Sequence, residues 1–252
     1  VLCWCEADAA CRAKFPAVRA DFRKVMDRLD QGPVEVEVTY PKTDKAARVR
    51  LSREMIAEGI RVFLYSAESA AALPLFFNQA AAGDWKPLGQ AAIDGKVGLD
   101  AIIARGLFFS VTCAEDIPFI DPAEVPARTA GSFLGDYRIR RQTAACELWP
   151  RAQFDPAERE AIRSDLPVLL INGELDPVTP PDFGRRAARF LTQSLHLVEP
   201  FASHEESPPC VTAIADEFLR RGTTQGLDTS CVNQLQRTPF LVELPKEGIS
   251  PF

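Results

Sequence analysis

Apolar positions recur along the chain in two different rhythms. Phe15, Val18, Phe22, Val25, Met26 and Leu29 fall at helical spacing, which predicts an amphipathic helix broken by Gly32-Pro33. Val34, Val36, Val38 and Tyr40 then alternate with Glu35, Glu37 and Thr39, the mark of a strand with one wet face. Arg48 to Leu51 reads as its return strand. Ser52 is placed to cap a helix whose stripe is Met55, Ile56, Ile60, Phe63 and Leu64, and Leu73 to Ala82 predicts a short helix ending at Gly83. Leu99 to Cys113 mixes helical spacing with strand-like composition and is read as helix.

From about Asp155 the rhythm shortens. Asp155-Pro156-Ala157-Glu158 is a capping box with proline at the first helical position. Pro167 to Ile171 is a continuous apolar run, as expected of a parallel strand covered on both faces. Phe183 to Leu191 reads as a helix and Leu195 to Val198 as a second short strand. Val211, Ile214, Ala215, Phe218 and Leu219 form a helical stripe stopped by Gly222. The tail from Thr223 is irregular and punctuated by proline. The chain thus divides into a mostly helical stretch with one hairpin, residues 1–150, and an alternating α/β stretch, residues 151–252.

Composition narrows the function classes. Of 252 residues, 46% are hydrophobic and 25% charged, the balance of a globular protein with a sizeable core. The 35 acidic and 29 basic side chains leave a net charge of −6, the wrong sign for a phosphate-binding surface, so nucleic acid is not expected as a partner. No apolar run approaches the roughly 18 residues of a membrane span. No G-x-G-x-x-G occurs. Gly89 to Lys96 only mimics a phosphate loop, because its glycines are spaced by one residue too many and Val97 stands where Ser or Thr should bind magnesium.

The 7 cysteines group as Cys3, Cys5 and Cys11, then Cys113 and Cys146, then Cys210 and Cys231. No C-x2-C pair exists and both histidines, His196 and His204, lie far from the first group, so neither a zinc site nor another metal is expected. Disulfides that close loops within each region suit the grouping and would leave Cys3 odd. Buried free thiols in a reducing compartment remain the other reading.

Candidate chemistry lies beyond the two α/β strands. Ligands of parallel sheets bind outside the carboxyl ends of the strands. Asp176 follows the first strand in Asn172-Gly-Glu-Leu-Asp176-Pro177-Val-Thr-Pro-Pro181, and His204 follows the second. An acid and then a histidine, in that order, form the back half of a nucleophile–acid–histidine triad, in which the acid orients the imidazole and the imidazole takes the nucleophile's proton. The front half is missing. G-x-S-x-G occurs nowhere, Gly131-Ser-Phe-Leu-Gly135 has the wrong spacing, and no glycine-rich oxyanion loop is present. Serine, cysteine and aspartate nucleophiles would all use the same back half. His196, between Leu195 and Leu197, reads as structural, as do Trp4, Trp85 and Trp149.

Taken in order, the motifs resemble the C-terminal half of the α/β-hydrolases related to the tripeptidyl and prolyl aminopeptidases, the TAP-like group. The features that carry the likeness are Cys5-Glu-Ala-Asp-Ala-Ala-Cys11 with Phe15-Pro16, Gly83-Asp84-Trp85-Lys86-Pro87-Leu88, and Val111-Thr-Cys113-Ala-Glu-Asp116. Cys146 with Trp149-Pro150, then Pro167 to Pro181, His204, and Cys210 through Gly222 to Cys231-Val232 continue it. One departure is that Glu205 and Glu206 follow the histidine where the group usually has glycine.

The resemblance implies an α/β fold in which residues 1–150 are a helical cap and residues 151–252 supply the last core strands with Asp176 and His204, the first half of the sheet and the nucleophile lying upstream. It further implies a secreted or periplasmic protein, the pairs Cys5–Cys11, Cys113–Cys146 and Cys210–Cys231, and a peptide or small ester substrate handled without a cofactor. Glu115 and Asp116 are the candidates, by position, for holding a substrate's free α-amino group, since a desolvated ammonium needs a fixed anion. Three functions stay open: a serine aminopeptidase, an esterase or lipase on the same scaffold, and a binding module without catalysis. The chain alone is expected to turn over nothing, and its short sheet to be marginally stable.

Overall fold

A computed structural model describes residues 1–153, 155–204 and 207–244. The N-terminal helices α1 (Leu2–Ala7) and α2 (Ala9–Lys14) are short, and Asp8 between them caps the second by accepting from the Cys11 amide at 2.8 Å. The next helix, α3 (Val18–Asp30), begins later than its apolar pattern because Pro16 disfavours helical geometry at Phe15. Val18, Val25, Met26 and Leu29 are buried, as the spacing requires.

The hairpin forms from β1 (Val34–Tyr40) and β2 (Lys45–Leu51), antiparallel, with Val34 opposite Leu51 and Tyr40 opposite Lys45. Ser52 then caps α4 (Arg53–Phe63), its hydroxyl accepting from the Met55 amide at 3.2 Å. Helices α5 (Ala67–Ala70) and α6 (Leu73–Ala81) follow, and Ser66 caps the former.

The segment with the false phosphate loop lies inside a helix, α7 (Lys86–Ile102). Its glycines serve packing: a Cβ at Gly89 would sit 2.9 Å from Val36 and Leu51 of the hairpin, and one at Gly59 on α4 would sit 2.9 Å from Ala92. Helix α8 (Arg105–Val111) leads into a π-helical turn, Thr112–Asp116, then a 3-10 turn, Ile117–Phe119. Helices α9 (Val125–Thr129) and α10 (Tyr137–Leu148) complete this part, and Asp155 caps the 3-10 turn Pro156–Arg159.

The α/β stretch contains β3 (Ser164–Gly173), α11 (Pro181–Ala188), β4 (Leu191–Glu199) and α12 (Pro209–Arg221), closed by Gly222 in the left-handed conformation. The expected helix at Phe183 to Leu191 starts earlier, at Pro181, and Leu191 already belongs to β4. Both strands run parallel, with Leu169 opposite Leu195 and Ile171 opposite Leu197. The run Pro167 to Ile171 is only half-buried, and Ile171 is exposed, because the described sheet has two strands and offers β3 one neighbour. Alternation sorts the faces. Leu169 and Leu197 meet Val211 and Ile214 of α12 and Val232, whereas Asn172 and His196 meet Gly184 of α11.

The fold separates into two compact units. One comprises Val1–Asp21, Arg61–Asn78 and the described residues of Ala161–Pro251; the other comprises Phe22–Ile60 and Gln79–Glu160. A cut by chain position at residue 150 is therefore a different cut from the one that packing makes. In the first unit the N-terminal helices are tied to the tail: Arg237 pairs with Asp8 at 2.5 Å, and Phe240 packs on the cluster of Cys5, Cys11, Phe15, Val18 and Leu75. In the second, Ile117, Phe109 and Trp149 pack around the bridge Cys113–Cys146. The bridges Cys5–Cys11 and Cys210–Cys231 form in the first unit, and Cys3 is free and exposed. No single described helix is long and apolar enough to cross a membrane.

Candidate functional site

Asp176 and His204, brought by separate loops, meet at the carboxyl ends of β3 and β4. The Nδ1 atom of His204 lies 3.0 Å from Oδ2 of Asp176. The carboxylate is almost wholly buried and the imidazole partly open. Asp176 also accepts from the Val178 amide at 2.7 Å, the Thr179 amide at 2.9 Å and the Thr179 hydroxyl at 2.6 Å. Burial alone would raise its carboxyl, but the bonds from His204, Thr179 and Val178 outweigh it and hold the group below its ordinary value. An ionised carboxylate can only accept, so Nδ1 of His204 donates to it, and Nε2 is the ring nitrogen left outside this bond.

Hydrogen bonds stitch the two loops together. The Glu174 amide donates to the Glu199 carbonyl at 3.0 Å, the Leu175 amide to the Ala202 carbonyl at 2.9 Å, and the Phe201 amide to Oε2 of Glu174 at 3.0 Å. Gly173 makes this approach feasible: a Cβ there would stand 2.2 Å from the Ser203 carbonyl oxygen. Phe201 takes a left-handed φ of 64°, costly for a bulky side chain, and its ring is seated edge-on against Trp4 at 5.3 Å.

A second support comes from the turn after α4. The His204 amide donates to the Tyr65 carbonyl at 3.1 Å, the Ser203 hydroxyl donates to the Leu64 carbonyl, and the Tyr65 ring lies 5.3 Å from the imidazole. Buried Arg61 donates to the Tyr65 hydroxyl. An open groove of about 390 Å³ runs along the histidine loop, lined in part by Pro200, Phe201, Ala202, Ser207, Pro208 and Leu235.

Glu115 and Asp116 are neighbours on the π-helical turn of the second unit, both exposed, next to buried Cys113. Glu205 and Glu206 lie outside the described residues. His196 is engaged structurally, its Nε2 lying 2.8 Å from Oδ1 of Asn172. Sequence reasoning placed Asp176 and His204 but missed Thr179, Tyr65 and Gly173. A hydroxyl three residues after the acid and a glycine ending β3 were the only local signals; nothing local pointed to Tyr65. Among the described residues, no group of His, Cys, Asp and Glu side chains is placed to hold a metal ion.

A parallel pair of strands with an acid and a histidine beyond their carboxyl ends is an α/β-hydrolase arrangement. Residues 131–231 match the model of the family described as TAP-like protein, so this segment is similar to the α/β-hydrolases of that family. The matched segment includes Asp176, His204, Cys146, Cys210 and Cys231, but neither Glu115 nor Asp116. No curated protein matches the chain.

Proposed function

We propose that the chain is the acid- and histidine-bearing C-terminal part of an exported serine aminopeptidase, whose nucleophile, oxyanion hole and first core strands lie upstream. The observation that carries this reading is the 3.0 Å contact between His204 Nδ1 and a buried, multiply hydrogen-bonded Asp176. Nε2 of His204 takes the proton of the upstream hydroxyl as it attacks the substrate carbonyl, and returns it to the leaving amine. Asp176 holds the tautomer and stabilises the imidazolium formed in that step. The cap comes from within residues 1–150, and in it Glu115 and Asp116 anchor the substrate's α-ammonium. Among the described residues, no charged side chain lines the groove beside the histidine loop, which suits an uncharged portion of a short peptide. Export accords with three disulfides, which persist in oxidising compartments.

The test is made on the protein from its natural source. Its intact mass should exceed 27.8 kDa, and a fluorophosphonate probe should label a serine upstream of Val1. That longer protein should cleave aminoacyl or short peptidyl anilides, and the 252-residue chain alone should not. Hydrolysis by the chain alone, or a native protein without a reactive serine, would overturn the reading.

A further inference from the structure

The second histidine has no part in the proposed chemistry, yet hydrogen bonds connect it to the site. Nε2 of His196 lies 2.8 Å from Oδ1 of Asn172. Nδ2 of the same amide donates to the Thr179 carbonyl at 2.9 Å. Thr179 in turn grips Asp176 twice, by its amide at 2.9 Å and its hydroxyl at 2.6 Å, and Oδ2, the oxygen that takes the hydroxyl, also faces His204. Two partners thereby define the Asn172 amide: its NH2 group must meet the Thr179 carbonyl, so its oxygen must meet His196, which carries a proton on Nε2.

The contact is enforced from outside the sheet. Asn172 on β3 and His196 on β4 share the face covered by α11, and Gly184 of that helix presses against both. A Cβ at Gly184 would stand 2.2 Å from Oδ1 of Asn172 and 2.5 Å from Nε2 of His196, so only glycine lets the helix close over the pair. Burial, and secondarily Arg185, lower the His196 imidazole below its ordinary value, so near neutral pH the ring donates without adding charge.

We propose that His196, Asn172 and Thr179 form a positioning relay that fixes the rotamer of Asp176 and, through it, the proton-bearing nitrogen of His204. A carboxylate with only a histidine partner can rotate about χ2 and exchange its oxygens. Here Thr179 occupies both, the Val178 amide adds a second donor on Oδ1 but none on Oδ2, and Asn172 prevents Thr179 from moving away. The inference rests on reading Asp176 and His204 as an acid–base pair, but its first test needs no catalysis.

The chain has only 2 histidines, so its imidazole 1H–15N spectrum contains two ring systems. Thr179→Val, which removes the hydroxyl at nearly constant volume, should broaden or abolish the low-field Nδ1–H resonance of His204 and leave the Nε2–H resonance of His196 in place. Thr179→Ser should restore it. Asn172→Leu should perturb both resonances; should that variant not fold, the Thr179 pair decides alone. An unchanged His204 resonance in folded Thr179→Val overturns the relay. In the longer native protein, Thr179→Val should lower kcat roughly tenfold with little change in KM, the scale of one hydrogen bond to a charged group. Resonances that behave as expected, in a native protein that hydrolyses nothing, would support the relay and overturn the hydrolase reading instead.

Discussion

Asp176 is buried behind β3 with both oxygens engaged, and its loop is bonded to the histidine loop at several points. Glu115 and Asp116 stand exposed on a single π-helical turn, beside a disulfide. All three are carboxylates chosen from sequence for a role in one reaction, and the proposed function assigns them different work. A group that must hold one proton on one nitrogen needs fixed geometry, supplied by several hydrogen bonds in a site shielded from water. A group that attracts an arriving ammonium can wait in solvent and be desolvated on binding.

Substitution should separate the two kinds. In the longer protein proposed above, Asp176→Asn should lower kcat by about 10⁴-fold, the loss known when a triad acid can no longer dictate the tautomer. Glu115→Gln should cost roughly tenfold to a hundredfold in kcat/KM, the scale of one lost charge-assisted hydrogen bond. That loss should appear with substrates bearing a free α-amino group and be absent with simple esters. Equal losses on both substrate types would erase the distinction between an orienting and an anchoring carboxylate.

Gly173→Ala tests whether the orienting side depends on loop contact. A Cβ 2.2 Å from the Ser203 carbonyl should destabilise the first unit by about 1–3 kcal/mol, measured by urea unfolding, and should weaken the low-field resonance of His204. Gly106→Ala, where a Cβ meets nothing within 4 Å, is the control from the second unit and should have little effect on either.

The bridges offer a smaller contrast. Cys113–Cys146 closes a separation of 33 residues and Cys5–Cys11 one of 6. Loop-closure entropy then predicts that replacing the first pair with serines costs roughly 1.5 kcal/mol more than replacing the second. Equal losses would mean that the short bridge stabilises through its packed cluster rather than through the unfolded chain.

The smallest effect is in acid. Because the folded state holds Asp176 below its ordinary value of 3.8, its carboxylate stabilises the fold above that pH, and the contribution is lost as pH falls through the folded value. Asp176→Asn should therefore flatten the acid limb of stability against pH. A limb of unchanged steepness would assign acid sensitivity to other carboxylates.

Much of the site was legible because strand ends are legible. A continuous apolar run that stops at Asn172-Gly173 announces where a parallel strand delivers its loop, and Asp176 and His204 each fall within a few residues of such an end. The hairpin, the Ser52 cap and the Gly222 stop were readable for the same reason: each is a short-range effect of backbone geometry. Helix α7 was not, because Gly89, Ala91, Ala92 and Gly95 carry too little apolar surface to show a stripe. They are helical because small residues let the hairpin and α4 approach, a reason found only in their neighbours.

The sequence by itself determined the hairpin, the two parallel strands, the helices with a clear apolar stripe, the loops that bear the acid and the histidine, and the grouping of the cysteines. Tertiary structure alone decided that Tyr65, more than a hundred residues before His204, supplies the carbonyl that holds its amide. It also decided that Gly184 presses Asn172 onto His196, and that Val1–Asp21 and Arg61–Asn78 pack in the same unit as β3 and β4. Local propensities act over a few residues and leave a trace in composition. A hydrogen bond between distant carbonyls and amides uses atoms that every residue carries, so no side-chain pattern records it.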